Sequence, residues 1–253
     1  MKLILRGLVW AGLLLLSGTM AEAGAMRPVV VELYTSQGCN SCPPADLYLG
    51  KLAQRPDVIA LSLPVTYWDM LGWKDTLASD ANTRRQKSYA AVMGHGGVYT
   101  PQIVVDGVQD VVGSRIASVE TAIESRRQAI GSGSPPDPVV PVSVSENAQE
   151  MSINIGAAEG VHNATVWMFH LRSAVNVAIK AGENEGHMVT YHNVVGDLRA
   201  VGMWKGASVT LTLPRTAVAG LPHDGVAIVV QQGGYGHVVG ASYIARPEFY
   251  PAH

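Results

Sequence analysis

The sequence predicts an α/β layer in the first half of the chain and an all-β antiparallel, sandwich-like unit in the second half. Up to residue 131, short runs rich in β-branched residues alternate with helix signals. Residues 132–138 (SGSPPDP) have the composition of a linker. From residue 139 onward, apolar and polar residues alternate with a period of two, which is typical of strands with one buried face. We therefore expect one domain over residues 26–131 and a second over residues 139–253.

The elements of the first half follow one another as strand, helix, strand and helix. Val29 to Tyr34 is a β-branched run typical of a buried strand. Pro44 to Gln54 predicts a helix, because proline suits its first position and Asp46 is an acid in its first turn. Val58 to Val65 predicts a second strand. Ser79 can cap a polar helix that runs to about Met93.

A hairpin and a last helix complete this half. Gln102 to Val105 and Val108 to Val112 predict two strands, and Asp106-Gly107 between them is a strong hairpin signal. A helix with Ile116 and Val119 on one face follows the hairpin. This order of elements predicts an α/β layer.

The second half contains several segments of alternating apolar and polar residues. The clearest are residues 151–155, 165–171, 208–213 and 226–231, which Gly, Asn or Pro turns separate. We expect six to eight short strands in a small antiparallel sandwich.

Residues 1–25 have the pattern of a secretory signal. Lys2 and Arg6 are basic, an apolar run extends from Leu8 to Leu16, and Ala23-Gly24-Ala25 provides a cleavage site. The apolar run is too short to span a bilayer comfortably. We expect a periplasmic or secreted protein, not inserted in a membrane after cleavage, in a compartment where disulfides persist.

The charge balance argues against nucleic acid as a partner. The chain has 18 Lys and Arg and 20 Asp and Glu residues. Without Lys2, Arg6 and Glu22 of the signal, 16 and 19 remain, a net charge of −3. This gives no basic footprint for a nucleic acid. The chain also lacks the G-x-S-x-G and H-E-x-x-H motifs of common hydrolases and zinc proteases.

Cys39 and Cys42 are the only cysteines, and they form one C-x-x-C motif. A bridge across so short a loop stabilises the fold by only about 2 kcal/mol on the loop-closure model. Reactivity explains the pair better than stability does. The motif lies between a predicted strand and the start of a predicted helix, where backbone N–H groups and the helix dipole stabilise a thiolate.

The motif predicts an exported thiol–disulfide oxidoreductase. Cys39 comes first and lies furthest from the helix body, so we expect it to be the exposed attacking thiol and Cys42 to be the resolving thiol. The substrate would be a protein or small molecule that carries a thiol or a disulfide. Nothing in the sequence implies a cofactor.

The order of elements together with the C-x-x-C motif resembles the thioredoxin fold. Thr100-Pro101 opens the hairpin strand, where thioredoxin-like proteins carry a cis-proline that faces the dithiol. The resemblance implies a thioredoxin-like N-terminal domain before the all-β domain. It also implies that the backbone of Thr100 faces a bound polypeptide.

Four segments carry a closer resemblance. They are VVELYTSQGCNSCPPAD at residues 30–46, YWDMLGWKD at 67–75, VYTPQIVV at 98–105 and YHNVV at 191–195. These segments resemble the DUF1223 family, secreted bacterial proteins of uncharacterised function. The resemblance covers nearly the whole chain after the signal, and it implies a thioredoxin-like first domain without a particular activity.

The aromatic segment after the second strand offers further candidates. Tyr67 and Trp68 could line a substrate groove, since aromatic side chains with a polar group suit contact with a peptide. They could equally cover the edge of the core. Asp69 could accept a proton from Cys42.

The sequence is also compatible with two other functions. Cys39, Cys42 and His95 could bind or deliver copper or zinc, because a C-x-x-C motif with a distant histidine supplies suitable ligands. Alternatively, the pair could be a permanent disulfide in a non-catalytic interaction module, with the β domain recruiting the partner.

Overall fold

A computed structural model describes residues 26–133, 138–218 and 224–245 of the chain. The expected signal, residues 1–25, lies outside the described residues. Within the described ranges, none of the helices combines the length and the apolar character needed to cross a membrane.

The strands form a large sheet and a small one. The strands are β1 (Val29–Thr35), β2 (Val58–Pro64), β3 (Gln102–Val105), β4 (Gln109–Val112), β5 (Val142–Glu146), β6 (Glu150–Ile155), β7 (Ala164–Ala178), β8 (Met188–Trp204), β9 (Val209–Pro214), β10 (Gly225–Gln232) and β11 (Val238–Ala245). Eight of them form one sheet in the order β11-β10-β7-β8-β2-β1-β3-β4, and β5-β6-β9 form the second.

The described helices lie mainly in the first half of the chain. They are α1 (Pro43–Leu52), α2 (Asp80–Met93), α3 (Ile116–Ser132) and α4 (Arg215–Val218), with a 3-10 helix at Thr66–Leu71. The Ser79 side chain caps α2 as expected, because its Oγ accepts a hydrogen bond from the Asn82 N–H at 3.1 Å.

The predicted elements of the first half are present. β1 pairs with β2 in parallel and with β3 in antiparallel orientation. At the turn of the β3–β4 hairpin, Asp106 and Gly107 have φ values of 52° and 68°. These left-handed conformations suit Asp and Gly at a tight turn. The second hairpin strand begins at Gln109 rather than Val108.

The predicted fold class is wrong at the level of the whole chain. The structure is mostly β, with 42% strand and 23% helix, rather than an α/β thioredoxin-like domain beside a separate all-β domain. β2 pairs in parallel with β8 of the second half, where Ser62 faces Val194, so one sheet includes strands from both halves. All seven residues of β2 are buried. A buried strand needs partners for its backbone groups on both edges, and β8 supplies the second edge.

The core is also continuous across the two halves. Val30 and Leu61 of the first half belong to the same apolar cluster as Phe169, Val195 and Val229 of the second half. A second cluster lies on the other face of the first strands, against α1 and α3. The expected boundary falls at residues 132–138, of which 134–137 lie outside the described residues. The division at that point stays a prediction.

The small sheet covers the other end of the large one. Met151 and Ile153 of β6 pack in one cluster with Val166 of β7 and Ile228 of β10. β7 and β8 have 15 and 17 residues, so they are longer than the short strands expected. The far part of their hairpin extends away from the small sheet, where Tyr191 of β8 packs beside Trp73.

Candidate functional site

Cys39 and Cys42 form a disulfide in the loop between β1 and α1. The Cys42 N–H donates to the Cys39 carbonyl at 3.1 Å, and the Cys39 N–H donates to the Ser36 carbonyl at 3.1 Å. Cys42 stands at the N-cap of α1, and Pro43 and Pro44 occupy the first two helical positions. Prolines fit there because the first N–H groups of a helix have no partner within the helix.

Both cysteines are fully buried. Their exposed fractions are 0%, whereas Asn40 and Ser41 between them are exposed. The expectation that Cys39 is an exposed thiol is therefore wrong for this conformation. An attacking group from another molecule reaches neither sulfur unless something that covers the pair moves.

The tip of the β7–β8 hairpin lies against the C-x-x-C loop, and we name residues 179–187 the covering loop. The Asn184 side-chain amide donates to the carbonyl oxygens of Gln37 and Cys39, both at 2.9 Å and both buried. Beside it, Glu183 Oε2 accepts a hydrogen bond from the Asn40 N–H at 3.2 Å. The covering loop is thus bonded directly to the C-x-x-C loop.

The covering loop is compact and its glycines permit its shape. Ile179 N–H donates to the His187 carbonyl, and Gly186 N–H donates to the Ile179 carbonyl, both at 2.9 Å. Gly182 has a φ of 81°, and a Cβ atom there would lie 3.2 Å from Cβ of Trp73. Glycine at this position allows both the left-handed backbone conformation and close packing against Trp73.

Asp46 is a buried acid one helical turn after Cys42. Side chains four residues apart in a helix lie on the same face, and the Asp46 N–H donates to the Cys42 carbonyl at 3.1 Å. Neither carboxyl oxygen makes a hydrogen bond of normal geometry with a described residue. Burial raises the pKa of Asp46 well above its usual value, and the neighbouring Thr35 hydroxyl offsets this only in part.

Asp75 is a second buried acid at this site. It accepts hydrogen bonds from the N–H groups of Gln37, Leu77 and Ala78 at 2.8, 2.8 and 3.1 Å. Burial raises its pKa, and these hydrogen bonds lower it in part. Burial, and then the charges of Asp46 and Asp75, raise the pKa of the Tyr191 phenol. The two acids and the phenol therefore interact electrostatically with one another.

Pro101 lies beside the first turn of α1. The Thr100–Pro101 peptide bond is cis, which confirms the expected isomer. A Cβ atom on Gly113 would lie 3.3 Å from Cβ of Pro101 and 3.2 Å from Cβ of Ala45, so Gly113 allows the hairpin end to pack between them. The structure thus brings the proline loop to the helix that begins at the disulfide.

Trp68 connects the proline loop to the C-x-x-C loop. Its indole N–H donates to the Thr100 hydroxyl at 2.9 Å, and its Cβ would lie 3.4 Å from a Cβ atom on Gly38. Tyr67 and Trp68 are half-buried and pack against the shared core. Their predicted contact with a substrate stays a prediction.

Asp69 is engaged elsewhere than at Cys42. Its Oδ1 accepts a hydrogen bond from the Asp75 N–H at 3.0 Å, so it holds the segment that carries the second buried acid. The acid one helical turn from Cys42 is Asp46 instead.

His95 does not join the cysteines in a metal site. Its Nε2 lies 2.8 Å from Oδ1 of Asp110, whose other oxygen accepts hydrogen bonds from Tyr99 and Gln102. Among the described residues, no group of three His, Cys, Asp or Glu side chains could hold a metal ion. In the disulfide-bonded form described, Cys39, Cys42 and His95 are not assembled into a metal site, and the alternative metal function stays a prediction.

Sequence reasoning missed several residues of this site. Asp46 had a usable signal, because it follows Cys42 by four residues at the start of a predicted helix. Asp75 and Gln37 had no distinctive spacing. Asn184 had none either, since it is 145 residues from the Cys39 carbonyl that it contacts.

Comparison with known proteins gives a family and a fold. The family model described as a protein of unknown function (DUF1223) matches residues 30–231. The crystal structure of protein AGR_C_4864 from Agrobacterium tumefaciens is similar, with 36% identity and a TM-score of 0.77 over 91% of this chain and 100% of that one. HBP35 of Porphyromonas gingivalis is 11% identical, with a TM-score of 0.57 over 87% of this chain and 75% of that one, so the likeness is one of fold alone. None of the curated proteins matches the chain.

Proposed function

The chain belongs to the DUF1223 family, and we propose, from the geometry of its own disulfide site, that it is a thiol–disulfide oxidoreductase that acts outside the cytoplasm. The Cys39–Cys42 disulfide is the redox centre in this proposal. Its substrates are proteins or small molecules that carry a thiol or a disulfide. The observation that carries the proposal is a C-x-x-C disulfide at the start of α1 with the buried carboxyl of Asp46 four residues after Cys42 on the same helix.

The energetics favour a chemical role for this arrangement. A buried polar group without a hydrogen bond costs about 1–3 kcal/mol. The disulfide stabilises the chain by about 2 kcal/mol, because the loop it closes is short. If the site served only to stabilise the fold, the cost of burying the Asp46 carboxyl would offset much of the stabilisation by the disulfide. A neutral carboxyl beside a sulfur is useful where a proton must be supplied or removed.

The proposed reaction transfers two electrons and two protons. A partner thiolate attacks Sγ of Cys39, the Cys39–Cys42 bond breaks, and Cys42 leaves as a thiolate that takes the proton of Asp46. A second partner thiol loses its proton to the Asp46 carboxylate and attacks the partner sulfur of the mixed disulfide. Cys39 leaves as a thiolate and takes from solvent the proton that the first partner thiol released, and the partner is oxidised to a disulfide. In the reverse direction Cys39 attacks a partner disulfide, and Cys42, deprotonated by Asp46, resolves it.

The buried disulfide requires an opening step before this reaction. The covering loop contacts the C-x-x-C loop through the side chains of Asn184 and Glu183, so its displacement uncovers Cys39. Location outside the cytoplasm is supported by the signal pattern of residues 1–25 and fits a stable disulfide.

A redox titration tests the proposed function. The full protein is equilibrated with graded ratios of reduced and oxidised glutathione, and free thiols are alkylated and counted by mass spectrometry. We expect Cys39 and Cys42 to titrate together above about −300 mV, the range of exchangeable rather than structural disulfides. A pair that stays oxidised below that potential contradicts the proposal.

Trapping variants identify the attacking sulfur. Cys42→Ser leaves Cys39 unable to be resolved, and Cys39→Ser is the matched control with the same number of thiols. We expect mixed disulfides with partner proteins or with glutathione to accumulate several-fold more in Cys42→Ser than in Cys39→Ser. Equal accumulation would remove the assignment of roles to the two sulfurs.

The complete burial of both cysteines favours a second candidate, a permanent disulfide in an interaction module. In that case the covering loop stays closed and the bridge holds the β1–α1 loop against it. The glutathione titration separates the two candidates. The permanent bridge predicts no reduction without unfolding and no loss other than stability in Cys39→Ser.

A further inference from the structure

A groove separate from the disulfide lies between α2 and the large sheet. Its volume is about 540 Å³, within the roughly 300–1,000 Å³ of small-molecule sites. Arg84, Arg85 and Lys87 line it from α2, and Trp167 and Tyr235 line it from the sheet. None of the described residues that line it is acidic.

Two cations of the groove are free to bind an anion. Arg84 and Lys87 are exposed, and neither side chain has an ion pair or hydrogen bond with a described residue. They lie three residues apart on one helix, where like charges repel each other. An anion between them would relieve that repulsion.

Arg85 adds a buried donor. Its guanidinium is 1% exposed and donates to Glu32 through Nε at 2.6 Å and through Nη2 at 2.8 Å. Its Nη1 has no hydrogen-bond partner among the described residues. Since Glu32 balances the charge of Arg85, the groove keeps the two positive charges of Arg84 and Lys87 in excess.

The aromatic wall gives the groove an apolar side. The rings of Trp167 and Tyr235 have centroids 5.5 Å apart, and both stand over the Arg85 guanidinium, at 5.1 and 5.6 Å. The Trp167 indole N–H donates to the Gly234 carbonyl at 2.8 Å, which fixes the ring. A planar apolar group can pack on these rings.

We propose that this groove binds a small organic anion. A carboxylate or phosphate group pairs with Arg84 and Lys87 above the free Nη1 of Arg85, because guanidinium and ammonium groups recognise both anions. The planar body of the ligand packs against Trp167 and Tyr235. This site is independent of the redox function proposed for Cys39 and Cys42.

Calorimetric titration of the full oxidised protein tests the groove. The probes are phenyl phosphate, benzoate, inorganic phosphate and phenol, which separate the anion from the planar body and phosphate from carboxylate. We expect saturable binding of phenyl phosphate or benzoate, with weaker binding of inorganic phosphate and of neutral phenol. Absence of saturable binding by both aromatic anions at millimolar concentration, or equal binding of phenol, overturns the proposal.

Surface variants locate the binding without disturbing the core. We expect the double variant Arg84→Gln, Lys87→Gln to weaken binding by about five-fold, the effect of two partly screened charges. The matched control Lys51→Gln, Lys205→Gln changes two exposed lysines that do not line the groove, and should bind as the unaltered protein does. Equal affinity of the two double variants overturns the assignment.

A charge introduced on α2 gives a second check. Ala91 lines the groove and Val92 does not, and both are exposed. Ala91→Glu places a negative charge at the site and should abolish binding of phenyl phosphate, whereas Val92→Glu should retain most of it. Retention by both variants speaks against the groove.

Discussion

Asp46 follows Cys42 by four residues and therefore lies one turn further along α1. On an exposed helix face an acid in this first turn would stabilise the N-terminus. Here the side chain is buried, and its raised pKa means that folding favours the neutral form. The same residue that suits a helix start by sequence is therefore kept neutral by its position in the fold.

Asp46→Asn should change how stability depends on pH. A carboxyl whose pKa is raised on folding holds its proton more tightly in the native state than in the unfolded chain. Its contribution to stability is present below about pH 4, the pKa of the unfolded chain, and is lost as the pH rises towards the folded pKa. We expect the unaltered protein to lose at least about 1 kcal/mol more than Asp46→Asn between pH 4 and pH 7. Urea unfolding of the oxidised proteins at several pH values measures this difference.

Asp57→Asn serves as the control of opposite sign. Hydrogen bonds from Arg55 lower the pKa of Asp57, so its contribution is present at neutral pH and is lost as the pH falls. Asp57→Asn should therefore be less stable than the unaltered protein at pH 7, and this difference should shrink at pH 4. Parallel pH profiles for the unaltered protein and Asp46→Asn would show that Asp46 titrates as an ordinary exposed acid.

Sequence alone identified some of these residues and not others. Cys39 and Cys42 stand out because the chain has no other cysteine, and Pro101 stands out through the resemblance to the cis-proline of thioredoxin-like proteins. Asp46 was placed on the right helix but read as a charge that suits the helix start. Burial in the folded chain decides which of these roles the carboxyl has. β8, which packs against α1 and brings Tyr191 near Asp46, begins some 140 residues later in the chain.

At the scale of elements, the tip of the β7–β8 hairpin is hydrogen-bonded to the C-x-x-C loop. Its strands are long enough to pass the edge of the small sheet and reach the C-x-x-C loop. Period-two patterning predicted strands in this region, but it does not state how far a hairpin reaches or against what it packs. The proposed function requires a local opening of this tip, which is possible without unfolding of the core.

Asn184→Ala should loosen this cover. It removes two buried hydrogen bonds, to Gln37 and Cys39, each worth about 1 kcal/mol. We expect dithiothreitol to reduce the disulfide about ten-fold faster, or more, in this variant than in the unaltered protein. Quenched-flow alkylation with mass spectrometry measures the rate.

Asn176→Ala is the matched change on the same hairpin. Asn176 accepts a hydrogen bond from the Thr190 hydroxyl at 2.7 Å at an exposed position, away from the C-x-x-C loop. Its reduction rate should stay within about two-fold of the unaltered protein, because an exposed hydrogen bond contributes little. The same acceleration in both variants would mean that general loosening of the hairpin, rather than the Asn184 contacts, controls access.

At the scale of the whole molecule, one sheet and one apolar cluster contain residues of both halves, which predicts that the halves unfold together. β2 has β1 on one edge and β8 on the other, and the apolar cluster around Val30 and Phe169 contains residues from both halves. Removal of the second half would expose this cluster and the buried edge of β2. Exposure of the apolar cluster lowers stability, and an exposed strand edge promotes aggregation.

Residues 26–133 produced alone should therefore not fold. We expect this fragment to show no cooperative urea transition by circular dichroism or tryptophan fluorescence, whereas the chain from residue 26 to 245 unfolds in one transition seen alike by both probes. Cooperative unfolding of the fragment would restore the view of two separate domains.

The sequence by itself determined the local elements of this protein. β-branched runs, proline at the helix start, the Ser79 cap and the Asp106-Gly107 turn depend on neighbours within a few residues, and each is where local chemistry predicts. It also determined the C-x-x-C motif and its place between a strand and a helix.

Only the tertiary structure decided how these elements combine. The pairing of β2 with β8 and the hydrogen bonds from Asn184 to the C-x-x-C loop join residues more than 100 positions apart. The raised pKa of Asp46 follows from its burial in the folded chain. The strand that pairs with an open sheet edge is determined by the free energy of the whole packed structure. A local sequence pattern therefore does not predict this pairing.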